Sequence, residues 1–249
     1  MERVFWQIFI KVKWKINFCT RTMKIFCYIC CVADVETGCY NRGNDKTHSS
    51  FLVFIFGKIW EKIYDMEKRI VEGALSVVER QGIKFTMDDL ASELGMSKKT
   101  IYTVFRDKSS LMIAMVDYVF DIIKDSEAAV LQEKNLTLPQ KFRKILGVMP
   151  ESYSNFDFTQ FYALEDKYPE VYERVRQRLE SGWEMTLSLI EQGVAEGVFR
   201  DVDYRVFQLA FEAAVERFLM GDELEQTGIP YMKALDQLVN IMVDGIVQK

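Results

Sequence analysis

Residues 66–111 hold the tightest constraint in the chain: Ala91, then Gly95 four positions on, then Ile101 six further. A small residue lets two helices cross closely, and glycine accepts the positive φ of a tight turn. A branched apolar residue then locks the next helix onto the previous one. Capping residues bracket both helices. Thr86 precedes Asp89 by three in a capping-box arrangement, and Ser97 stands before the next helical stretch. Leu90, Ala91 and Leu94 form one apolar stripe, Met96 turns inward, and Ile101, Val104 and Phe105 form another. Upstream, Ile70, Ala74, Val77 and Val78 recur at helical spacing from Met66 until Gly82. Together these elements have the spacing of a helix-turn-helix.

The segment Thr86 to Leu111 resembles the DNA-binding segment of the TetR family of bacterial repressors. Ser97, Thr100, Tyr102, Phe105, Lys108 and Leu111 carry the resemblance, spaced as in that family's third helix and the start of its fourth. Lys99 stands where the family often has glycine, and Val104 where it often has an aromatic residue, so operator sequence and affinity will differ. The resemblance implies an all-α chain. A three-helix N-terminal DNA-binding domain containing the helix-turn-helix comes first, and a helical-bundle ligand-binding and dimerisation domain follows. It also implies a repressor whose effector shifts helix four and changes the separation of two recognition helices. The expected boundaries are 1–64, 65–111 and 112–249.

Charge fits that division. The chain is −5 overall, but residues 1–65 are +4, residues 66–111 are +1 and residues 112–249 are −10. Lys98, Lys99, Arg106 and Lys108 face Asp107 alone, a local basic patch of the kind phosphate neutralisation needs. The third helix is short, so its N-terminal residues are expected in a major groove, with Lys98, Lys99 and Thr103 reaching base edges. Thr86, Thr100, Tyr102 and Lys108 are assigned to phosphates. For Lys108 the reason is its place beside Asp107, the expected cap of helix four, where free amides attract anions.

Residues before 66 do not match the rest. All five cysteines (Cys19, Cys27, Cys30, Cys31 and Cys39) and the lone histidine, His48, lie there. The pair Cys27 and Cys30 lacks the second pair of a zinc site and the strand–helix setting of a redox motif. The longest apolar run, Phe51 to Phe56, falls far short of the roughly 20 residues a bilayer requires. One reading is a translated upstream region preceding a start at Met66. The alternative is a membrane-associated or metal- or redox-binding helical protein that uses this Cys-rich leader.

Downstream, a fourth helix is expected from Ser109 to about Gln132, with Leu111, Met115, Tyr118 or Val119, and Ile122 facing inward. Pro139 opens another helix, and Pro150 closes that segment. Pro169 opens a long helix carrying Val171, Val175, Leu179, Trp183, Leu187 and Ile190 up to Gly197. Asp203 caps the next, through Val206, Leu209, Ala213 and Phe218, and Pro230 starts the last. These final helices, about 203–220 and 230–247, are expected to pair a homodimer, because two-fold pairing lets both halves read a palindromic double-stranded operator.

A small hydrophobic effector is expected among Met115, Tyr118, Phe158, Phe161, Tyr162, Trp183 and Phe211. No metal, cofactor or membrane contact is expected, and the cytoplasm is the expected compartment. From residue 66 onward there is no histidine, no cysteine and no phosphate-binding glycine loop, which argues against an enzyme.

Overall fold

The computed structural model describes residues 46–149 and 164–248, with side chains from residue 62 onward. Phe158, Phe161, Tyr162, Pro150 and the leader cysteines lie outside these. The chain divides into two compact units, Met1–Trp60 and Glu61–Lys249. Every regular element described is helical: α1 Lys46–Gln81, α2 Met87–Leu94, α3 Lys98–Val104, α4 Lys108–Gln132 and α5 Leu138–Leu146, then α6 Leu164–Lys167, α7 Pro169–Leu179 and α8 Glu184–Ala195, and finally α9 Tyr204–Met220, α10 Glu223–Thr227 and α11 Tyr231–Ile246. One isolated antiparallel bridge joins Phe199 to Val247, with Arg200 N–H donating to the Ile246 carbonyl and Gln248 N–H to that of Val198.

The first three helices form as their caps and stripes require. Ile70, Ala74, Val77 and Val78 are buried along α1, and Gly82 ends it at φ +72°. The helix nevertheless starts at Lys46, well before Met66. The upstream run Phe51 to Phe56 is apolar at every position, so it has no periodic face by which a helix could be recognised. Glycine 73 was not singled out from the sequence, yet a Cβ there would overlap the Leu94 side chain, so α1 and α2 approach closely at that point.

Helix α4 begins at Asp107, whose side chain accepts from Ser110 N–H at 2.8 Å. Helix α7 lies along it, registered by two ion pairs one turn apart: Arg174 to Asp117 at 2.7 Å and Arg178 to Asp121 at 2.6 Å. The long helix expected from Pro169 to Gly197 is interrupted. Gly182 adopts φ +76°, Ser181 Oγ donates to the Arg178 carbonyl, and Trp183 Nε1 donates to that of Leu179. Val175, Trp183 and Ile190 stay buried on both sides, so the apolar stripe keeps its phase across the break and hides it.

In α9 the buried face differs from the residues through which the sequence traces the helix. Phe207, Phe211, Val215 and Leu219 are buried, whereas Val206 and Leu209 are 65% and 64% exposed. The helix is apolar on two sides, and the exposed one carries Val206 and Leu209. Under it, Phe142 of α5 is fully buried between Phe199 and Phe207, each ring centroid 5.4 Å away.

A Cβ on Gly193 in α8 would overlap the buried Phe199 ring. Gly193→Ala is therefore expected to lose about 1–3 kcal/mol, an overpacking cost larger than the helix-propensity gain. A urea melt should show a lower midpoint at unchanged slope; an unchanged or raised midpoint would contradict this packing.

Candidate nucleic-acid interface and internal cavity

The turn between α2 and α3 is built from backbone. Gly95 takes φ +60°, its N–H reaches the Ala91 and Ser92 carbonyls, and Met96 N–H reaches Ala91 at 3.0 Å, a left-handed helix stop. Thr86 Oγ1 accepts from Asp89 N–H and donates to the Asp89 carboxylate at 2.7 Å, while Thr86 N–H donates to the same carboxylate. These bonds hold the Asp89 carboxyl below its ordinary range. Ser97 Oγ accepts from Thr100 N–H at 3.1 Å to start α3.

Ile101 and Phe105 are buried and fasten α3 from below. Lys98, Lys99, Tyr102 and Thr103 are exposed together on its other side, and Thr100 is half-buried between them. Lys98 donates to Asp88 at 2.9 Å, an exposed pair that raises the lysine's pKa through that hydrogen bond. Lys99 has no hydrogen-bond or ion-pair partner among the described residues. Tyr102 is 45% exposed. Thr103 Oγ1 donates to the Thr100 carbonyl at 2.6 Å, and Thr100 Oγ1 lies 2.9 Å from Ser97 Oγ.

Lys108 is placed differently from the expectation that it faces a phosphate. Its Nζ donates to the carbonyls of Ile83 at 2.7 Å and Phe85 at 2.5 Å, and lies 4.1 Å from the Phe85 ring centroid and 5.5 Å from that of Tyr168. The ammonium thus satisfies two carbonyls of the loop between α1 and α2. Burial, reinforced by Lys167 and opposed by Asp89, pushes its pKa down to about 8.

A cavity of about 120 Å³ lies within the second unit. Trp183 and Phe211 line it, edge to face at 5.5 Å. Met115 and Tyr118 do not: Met115 is core, and Tyr118 Oη donates to Glu72 of α1 at 2.5 Å. The lining also holds charges that sequence reasoning missed, namely Lys124, Glu127, Arg178 and Glu212. Lys124 Nζ reaches both Glu127 oxygens at 3.0 Å. Burial raises the pKa of Glu127 despite that lysine. On a lone helix these residues look like solvated surface; only the packing of α7 against α4 and α9 turns them inward.

A helical scaffold that presents a capped, anchored α3 with an exposed polar face defines a helix-turn-helix DNA-binding protein. Residues 70–115 match the family model of the bacterial regulatory proteins, tetR family. Over those residues the chain is similar to a family of transcriptional regulators. It is similar to the uncharacterized HTH-type transcriptional regulator YvaF of Bacillus subtilis (strain 168), at 20% identity over 181 residues, covering 73% of this chain and 95% of the relative. A TetR transcription regulator from Haloarcula marismortui ATCC 43049 shares the fold with a TM-score of 0.59 at 19% identity, covering 74% of this chain and 100% of that one. A TetR-family regulator from Cytophaga hutchinsonii gives 0.57 at 20% identity, covering 76% and 98%. No helix among the described residues is long and apolar enough to cross a membrane.

The lowered pKa of Lys108 has a definite sign. An unfolded lysine keeps its proton to about pH 10.4, so between about 8 and that value the unfolded chain binds more protons and stability rises with pH. Relative to Lys108→Met, the native protein is expected to gain stability between pH 8 and 10 in denaturant titrations. A constant difference would contradict the buried ammonium.

Proposed function

We propose that the chain is an effector-responsive repressor that binds a palindromic DNA operator as a homodimer in the cytoplasm. The working parts in this reading are the DNA-binding domain at 65–111 and the ligand-binding and dimerisation domain at 112–249. The observation that carries it is the outer face of α3, where Lys98, Lys99, Tyr102 and Thr103 stand exposed on a helix fixed by Ile101 and Phe105. Lys99 and Thr103 read base edges, with Lys98 released from Asp88 to do the same. Tyr102 and Thr100 contact phosphates, and Thr86 offers its hydroxyl oxygen near the start of α2. Lys108 acts indirectly, by fixing the first turn of α4 against the loop that carries Ile83 and Phe85.

Dimerisation through α9 and α11 is supported by their outward apolar side chains. Val206, Leu209 and Ile241 are 65%, 64% and 72% exposed, an unusual cost for a lone chain and an ordinary one for a paired surface. Pairing two such helices with their two-fold copies gives a four-helix contact that spaces the recognition helices for a palindrome. The cavity lined by Trp183 and Phe211 is the sensor site in this reading. Its occupant releases the operator to the extent that it binds the released state more tightly.

Selection from a random DNA pool should return a palindrome, and binding to it should weaken with salt. Lys99→Ala is expected to cost about 1–3 kcal/mol on the selected palindrome and to relax its sequence preference, while Lys108→Met leaves the salt slope unchanged. Equal binding to every oligonucleotide would sink the reading. Separately, Leu209→Glu should convert the dimer to a single subunit in sedimentation; an unaltered mass would remove α9 from the interface.

A further inference from the structure

The cavity is mostly walled by apolar and aromatic side chains, among them Phe120, Ile123, Leu146, Trp183, Phe211 and Leu235. Its charged residues are unequally matched. Lys124 is taken by both oxygens of Glu127 at 3.0 Å. Arg178 is taken by Asp121 at 2.6 Å and lies 3.7 Å from Asp117, with its guanidinium also 5.5 Å from the Phe120 ring centroid. Both cations of the lining are therefore already neutralised by carboxylates of α4. Glu212 is the exception. It accepts from Gln208 Nε2 at 2.8 Å, a neutral donor. No basic partner reaches it among the described residues.

Its surroundings add negative potential. Burial raises the pKa of the Glu212 carboxyl first, and Glu180 and Glu216 raise it further. Directly before it in α9 stands Phe211, edge to face with Trp183. A carboxylate without a counter-ion, beside two aromatic rings in a largely apolar cavity, is the chemistry that recognises an amine or quaternary ammonium group. An apolar cavity of about 150 Å³ accommodates benzene, so the roughly 120 Å³ here sets a single ring as the upper limit of a ligand's apolar body.

We propose that this cavity takes a small organic monocation with an aromatic or branched apolar body, its positive group seated beside Glu212 and against Trp183 and Phe211. The inference rests on the reading of this cavity as the sensor site and narrows the expected hydrophobic effector to a cationic one. Anions are disfavoured because, among the described residues, the charge of each basic side chain in the lining is already matched by a carboxylate, and of their buried polar atoms only Arg178 Nε is left without a hydrogen-bond partner.

Three soluble probes of similar size separate the possibilities: phenethylammonium, 2-phenylethanol and 3-phenylpropanoate, titrated calorimetrically into the full chain. The ammonium is expected to bind about tenfold tighter than the alcohol, and the carboxylate more weakly than both. Glu212→Gln, close to isosteric and on a partly exposed side chain, should remove the ammonium's advantage while leaving the alcohol within about twofold. Lys124→Met, which frees Glu127, should strengthen the ammonium further. An alcohol or carboxylate that binds best, an advantage that survives Glu212→Gln, or no binding by any of the three would overturn the assignment. Operator binding by the unliganded protein is measured apart from these titrations. Its loss sinks the regulator reading without altering the ligand ranking, and a reversed ranking with intact operator binding sinks only the cationic ligand.

Discussion

The ammonium of Lys108 sits where the loop between α1 and α2, the first turn of α4 and the ring of Tyr168 come together. Two backbone carbonyls in that loop have no helical partner and would be costly to bury alone, by about 1–3 kcal/mol each. One side chain satisfies both, so the loop, and with it the angle between α1 and α2, is tied to the start of α4. The neighbouring Ser109 Oγ donates to Glu170 at the start of α7. The first turn of α4 is thus bonded on one side to the helix-turn-helix and on the other to the helix that borders the cavity.

From that turn onward α4 serves both halves of the described body. Leu111 is fully buried, and Tyr118 bonds Glu72 of α1. Further along, Asp117 and Asp121 hold Arg174 and Arg178 of α7, and Lys124 and Glu127 face the cavity. These contacts lie along one continuous helix, Lys108–Gln132. The physical requirement for coupling is a two-state element that both sites bias. Under the proposed sensor role, helix α4, with charge pairs one turn apart, would be the element that both sites bias.

Local chemistry was legible in the sequence wherever the determinant was local. The caps at Thr86, Ser97, Asp107 and Asp203, and the glycine stops at 82, 95 and 197, act within four residues of themselves and were found from spacing. What escaped were features set by distant chain. The acceptors of Lys108 are carbonyls 25 and 23 residues away, and a carbonyl leaves no mark in an amino-acid pattern. Gly182 breaks a helix whose apolar stripe continues unbroken in phase, and α9 carries two apolar faces of which only burial distinguishes the inner. Charged residues of the cavity were invisible for the opposite reason: on an isolated helix they are the expected solvent face.

That last failure bears on how a regulator of this fold acquires specificity. Its apolar lining residues are also its core, so changing them costs stability as well as selectivity. The charges are freer to vary, because each can be offset by a partner on a neighbouring helix, as Glu127 offsets Lys124 and Asp121 offsets Arg178. A single residue left without such an offset sets the sign of what the cavity attracts, while the walls set its size. Glu212 holds that position here, on the same helix whose opposite side exposes Val206 and Leu209. Under the proposed sensor role, a ligand that neutralised Glu212 would act on α9 as well as on the α4–α7 pair, on the helix whose other side exposes Val206 and Leu209.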